Sequence, residues 1–155
     1  MGSTFAKSSV TDVVIDGVRV KDMVGVGINM VLTGNIVIKN CIETNAKNLF
    51  ANVTGRLELS SPPRGKMWFK NNNLSGDRPL NLVPNPFVLD GKELISITNN
   101  IIDESGTTSA GGCKVQDSLK VVVSGNSFYR TYLKPQASVG FIGRSMVING
   151  SIFIS

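Results

Sequence analysis

The chain contains no histidine and two cysteines, Cys41 and Cys113. Lack of histidine excludes a serine-protease-type triad and most transition-metal sites. Two cysteines are too few for a disulfide scaffold, or for a structural zinc site without histidine. Long hydrophobic runs are missing as well. The longest uncharged stretch, Met23 to Ile38, is interrupted by Gly25, Gly27, Asn29, Gly34 and Asn35. It falls short of the roughly 20 apolar residues of a membrane helix. No charged segment followed by an apolar one opens the chain, so no signal peptide is read and no membrane insertion is expected. Charge of either sign is sparse at 17%. The cations are scattered singly, so no nucleic-acid partner is expected despite the net charge of +5.

What remains is 155 residues at 41% hydrophobic, enough for one domain with a buried core. Met1-Gly2-Ser3 reads as a cloning scar, with residues 1–9 a scar or flexible N-terminal lead to a fragment of a longer chain. Residues 10–155 then form the domain. Asparagine, glycine, serine, threonine and β-branched residues dominate, and these disfavour helix interiors.

A short pattern recurs along the chain: two or three apolar residues in alternation, a polar residue, asparagine or glycine, then a second apolar run. It starts at Val13, Ile36, Met67, Ile95, Val121 and Met146, with spacings of 23, 31, 28, 26 and 25 residues. Imperfect repeats of this length mark a solenoid. Period-two alternation makes each unit begin with a strand. The polar-Asn/Gly pair supplies the left-handed turn, and the second apolar run supplies another strand. About 25 residues hold three short strands and three turns, which is one coil of a parallel β-helix. The expectation is an all-β solenoid of about six coils, with a β-sandwich as the alternative fold. Asn72, Asn100 and Asn126 share one turn position with Val18, Cys41 and Ser151 and are expected to stack as a side-chain hydrogen-bond ladder.

The motifs Ile-Ser-Ile-Thr-Asn-Asn-Ile-Ile (95–102) and Val-Val-Val-Ser-Gly-Asn-Ser-Phe (121–128) resemble right-handed parallel β-helices of the pectate-lyase-like superfamily. Among these the chain looks most like a fragment of a bacteriophage tailspike or appendage. The resemblance implies a homotrimeric, extracellular virion protein that recognises or degrades a bacterial surface polysaccharide. A bacterial β-helix adhesin is the alternative from another class.

Strand alternation assigns faces. With Ile97, Val123 and Ile148 turned inward, Val14, Val37, Trp68, Ser96, Val122 and Val147 form an outward column. An apolar outer stripe is expected to pack against a partner or under a loop, so Val14, Val37, Trp68, Val122 and Val147 are candidate oligomer-interface residues. Stretches 48–66 and 74–90 carry five of the six prolines and are expected to leave the ladder as loop insertions.

Glycosidic hydrolysis requires two carboxylates about 5–9 Å apart. Coil alignment puts Asp77 near Glu104 and Asp103, making these the candidate catalytic residues. Arg130, Arg78 and Tyr129 are the candidate substrate-binding residues. A surface Glu104–Arg130 salt bridge is the competing explanation for two of them. The acidic cluster of a calcium-dependent lyase has no counterpart here, and no metal or other cofactor is expected.

Overall fold

A computed structural model describes residues 12–32, 34–55, 62–76, 87–104, 111–136 and 145–154. Each coil contributes three strands in chain order. The first is β1 (Asp12–Asp16), β2 (Arg19–Lys21) and β3 (Ile28–Val31); the second is β4 (Asn35–Lys39), β5 (Ile42–Ala46) and β6 (Ala51–Thr54). The third is β7 (Lys66–Lys70), β8 (Asn73–Gly76) and β9 (Phe87–Asp90); the fourth is β10 (Leu94–Thr98), β11 (Ile101–Asp103) and β12 (Gly111–Gln116). Then come β13 (Lys120–Ser124), β14 (Ser127–Tyr129) and β15 (Thr131–Gln136), followed by β16 (Ser145–Asn149) and β17 (Ile152–Ile154). The described strands thus make five complete coils and two strands of a sixth.

Corresponding strands pair in parallel from coil to coil, in the orders β1-β4-β7-β10-β13-β16, β2-β5-β8-β11-β14-β17 and β3-β6-β9-β12-β15. This is a parallel β-solenoid, not a sandwich. The first sheet keeps one register throughout: Val14, Val37, Trp68, Ser96, Val122 and Val147 are successive partners. A strict repeat in sequence has become a strict repeat in space.

The first corner shows why the repeat is spelled as it is. The residue leaving each first-sheet strand is Gly17, Asn40, Asn71, Asn99, Gly125 or Gly150, all with φ between 54° and 69°. Glycine and asparagine enter that left-handed region at the lowest cost. Gly125 has a second constraint: a Cβ there would lie 2.5 Å from Asn99 Oδ1.

Inside, Ile36, Ile38, Met67, Phe69, Ile95, Ile97, Val121 and Val123 line the first sheet, with Leu74, Ile102 and Phe128 from the second. Phe87, Leu89, Cys113 and Val115 close the third side. Phe69 links the walls, its ring 6.3 Å from Phe50 and 4.9 Å from Phe87. Ile97 and Val123 are fully buried as expected, whereas Ile148 is 50% exposed. Ile148 keeps the register of Val123 but belongs to the outermost rung, which is stacked on one side.

The stretches expected to leave the ladder are described only in part. Stretch 48–66 contains β6, and 74–90 contains most of β8 and all of β9. Residues 56–61 and 77–86 lie outside the described residues, as does the 1–9 lead.

Candidate functional site

The buried polar spine sits at the first corner. Asn72, Asn100 and Asn126 are each about 1% exposed. Asn100 Oδ1 accepts from the backbone N–H and from Nδ2 of Asn72, both at 2.9 Å. Asn126 Oδ1 does the same for Asn100, again at 2.9 Å twice. The amides also donate to the preceding coil, to the carbonyls of Ile38 (3.2 Å), Phe69 (2.9 Å) and Ile97 (2.8 Å). Ser151 ends the row by accepting from Asn126, and Cys41 begins it by donating its N–H to Asn72 Oδ1 at 3.0 Å. Burial pushes the Cys41 thiol pKa up, so this cysteine is a packing residue and not a nucleophile. The expected ladder is present, and it makes the corner rigid.

That rigidity bears on the outer face of the first sheet, which runs directly into the corner. Three columns of outward residues cross it. The middle one is Val14, Val37, Trp68, Ser96, Val122 and Val147. Val14 and Val147, at the two ends, are 64% and 49% exposed, while the four between them are half-buried among their neighbours. Ser96 places a small hydroxyl residue between Trp68 and Val122 in the column.

On one side of this stripe stand Asp12, Asn35, Lys66, Leu94, Lys120 and Ser145; on the other, Asp16, Lys39, Lys70, Thr98, Ser124 and Asn149. Lys39 pairs with Asp16 at 3.0 Å, and Asn40 Nδ2 donates to the same carboxylate at 2.7 Å. These two contacts, the asparagine foremost, hold the Asp16 pKa below its ordinary value. Lys66 and Lys70 flank Trp68 on β7, and Lys120 stands two rungs beyond Lys66. Rungs β7 and β13 carry no carboxylate on this face. Strand alternation in the sequence already sets Lys39 and Lys70 in one outward polar column with Asp16, whereas the Lys66 and Lys120 side was missed.

The candidate catalytic residues are arranged differently. Asp77 and Arg78 lie outside the described residues. Asp103 and Tyr129 are register partners, half-buried and outward on the second sheet. Glu104 is 1% exposed, its N–H donating to the Tyr129 carbonyl at 3.0 Å. Adjacent residues of an extended chain face opposite ways, so Asp103 looks out and Glu104 looks in. Glu104 is therefore not the exposed half of a surface ion pair. Arg130 is exposed at the second corner, in a left-handed conformation with φ 47°.

Three buried charged residues, Glu43, Lys92 and Asp117, were not anticipated. Glu43 takes an inward position on β5, beside Leu74 of the next coil. Lys92 is fully buried just ahead of β10. Its Nζ donates to the Leu32 carbonyl and, at 2.7 Å, to that of Gly34, two coils away. Gly55 lies against its path, since a Cβ there would stand 2.8 Å from Lys92 Cδ and 2.3 Å from the Gly91 carbonyl. Burial lowers the Lys92 pKa from 10.5 to about 8, with Glu93 pulling weakly the other way. Nothing in the sequence marks this lysine, because its partners are backbone carbonyls some 60 positions earlier.

Among the described residues no cluster of three potential ligands could hold a metal ion, and no helix is long and apolar enough to cross a membrane. No protein-family model matches the chain, and comparison with curated proteins and with solved structures likewise finds no match.

Proposed function

We propose that this solenoid is a structural and receptor-binding part of a bacteriophage tailspike or appendage, and that it recognises a bacterial surface polysaccharide. The observation behind this reading is the outer face of the first sheet. It is a six-rung surface with the chain's only tryptophan in a central rung and, Leu94 apart, polar or charged residues along both edges. An amphipathic ring on a rigid surface gives the apolar face of a sugar something to lie on. Flanking hydroxyl, amide and ammonium groups satisfy the sugar's polar edges. A rigid scaffold also loses little entropy when an extended polymer settles on it. On this reading the protein works outside the host cell, on the virion.

Degradation of the polysaccharide is the second reading, and Asp103 at the outer surface favours it. The candidate pair for it joins Asp77 to Glu104 or Asp103 on the neighbouring coil, and Asp77 lies outside the described residues. Incubating the chain with capsular or O-antigen polysaccharides tests both readings. Co-sedimentation without released oligosaccharides is the expected result. Release of oligosaccharides would establish the enzymatic reading, and absence of binding across a broad panel would remove both.

The homotrimer implied by the resemblance is a separate proposal, read out by light scattering.

A further inference from the structure

We infer that the outer face of the first sheet selects an acidic polysaccharide, which lies along the solenoid axis over the Val37–Trp68–Ser96–Val122 stripe with its carboxylates directed to Lys66, Lys70 and Lys120. This inference rests on the polysaccharide reading of the same face.

Charge decides the kind of occupant. The face carries Lys39, Lys66, Lys70 and Lys120 against Asp12 and Asp16. Both acids are on β1 at one end, and Asp16 is engaged by Lys39 and Asn40. The middle rungs are therefore left with cations on both sides of the stripe. Glu93 adjoins Leu94 at the corner ahead of β10 and Asp117 stands three positions before Lys120, both outside the three columns. A neutral glycan would leave these ammonium groups without a counter-charge.

A second copy of the chain fits the face less well. A closed symmetric assembly brings equivalent patches together around its axis. Here that would set the Lys66, Lys70 and Lys120 groups of each copy near those of the others while removing them from water. Like charges brought together in this way repel and disfavour the contact. A polymer with regularly spaced carboxylates removes the same repulsion.

Geometry sets the direction. The stripe and both lysine columns run perpendicular to the strands, with rungs about 4.8 Å apart. Along β7, Lys66 and Lys70 are four residues apart, about 13 Å, with Trp68 midway between them. One extended strand of sugar fits between the columns. The small Ser96 beside Trp68 leaves room for a ring to rest against the indole.

Titration of the whole chain with hyaluronan, with neutral dextran and with a DNA duplex, at two salt concentrations, tests the inference. The expected result is saturable hyaluronan binding that weakens with salt. Dextran should bind at least about tenfold more weakly, a difference of about 1.4 kcal/mol. The triple variant K66Q/K70Q/K120Q, with an unchanged circular dichroism spectrum, should lose the preference for hyaluronan and keep the weak dextran binding. Equal affinity for hyaluronan and dextran, unchanged in the variant, would overturn the charge selection and leave the polysaccharide reading standing. DNA bound as tightly as hyaluronan would overturn it in favour of a general polyanion surface. Binding of neither glycan would remove the polysaccharide reading itself. A wild-type oligomer that Trp68→Asp dissociates would assign the face to a second copy instead.

Discussion

Asn126 Oδ1 accepts two hydrogen bonds from Asn100 in the next-lower coil, one from the backbone N–H and one from the side-chain amide, each 2.9 Å long. One oxygen thus joins two coils through both the chain and the side chain, at a corner closed to water. The same arrangement one coil down, between Asn100 and Asn72, makes the three residues a continuous polar spine along the first corner.

Removing the middle of the spine is expected to be costly. Asn100→Ala leaves the Asn72 N–H without its partner and removes the side-chain bonds to the Phe69 carbonyl and to Asn126 Oδ1. A buried group so stranded costs about 1–3 kcal/mol and the lost side-chain bonds add about 1 kcal/mol each, so a loss of at least about 2 kcal/mol is expected in urea unfolding. The exposed neighbour Asn99 supplies the contrast. Its replacement by glycine keeps the left-handed turn and should change stability by less than about 1 kcal/mol.

The core should show an end effect. Ile97→Ala, at a fully buried site, is expected to cost about 2–5 kcal/mol through lost burial and the cavity left behind. Ile148→Ala holds the equivalent inward position on the outermost described rung, where half the side chain meets solvent. Its cost should be less than half as large. Equal losses would mean that something covers that rung in solution.

Lys92 predicts a pH dependence of stability with a definite sign. Its folded pKa of about 8 lies below the ordinary value of 10.5. Below pH 8 the ammonium is charged in both states, and the folded state carries the whole cost of burying it. Between pH 8 and 10.5 the folded protein releases this proton first, so the unfolded state binds more protons and stability rises with pH. The gain is on the order of 2–3 kcal/mol and levels off above 10.5. Lys92→Met should lack this rise, so the wild-type and variant unfolding free energies, measured from pH 7 to 11, should diverge across that window.

The charged stripe predicts how the oligomeric state responds to mutation. A contact built on Trp68 would be broken by an aspartate placed in it. With the face occupied by ligand instead, Trp68→Asp should leave the mass from light scattering unchanged and weaken binding of an acidic glycan. A fall in mass would reverse that assignment.

The solenoid was legible in the sequence because its cause is local and repeated. Every first-sheet strand ends in a residue that must turn left-handed, and Gly17, Asn40, Asn71, Asn99, Gly125 and Gly150 mark those positions directly. The Asn72–Asn100–Asn126 row was legible for the same reason, since equivalent positions of a repeat stack. Lys92 and Glu43 were not, because their burial depends on contacts between coils that no local pattern encodes. The candidate pairing of Asp77 with Glu104 and Asp103 came from coil alignment; Asp77 lies outside the described residues, and alternation turns Asp103 outward and Glu104 inward. The lysine columns emerged once the register of β7, β10 and β13 was fixed, since Lys66 and Lys120 are 54 positions apart in sequence and two rungs apart in the sheet.

The chain has a single tryptophan, so its intrinsic indole emission reports one position on the outer face. Titrating the whole protein with hyaluronan while following that emission tests the central claim most directly. The account predicts a saturable change in Trp68 emission whose midpoint matches the affinity from an independent binding measurement and moves to higher glycan concentration in K66Q/K70Q/K120Q. An emission that stays constant while the glycan binds would place the binding surface elsewhere and contradict the account.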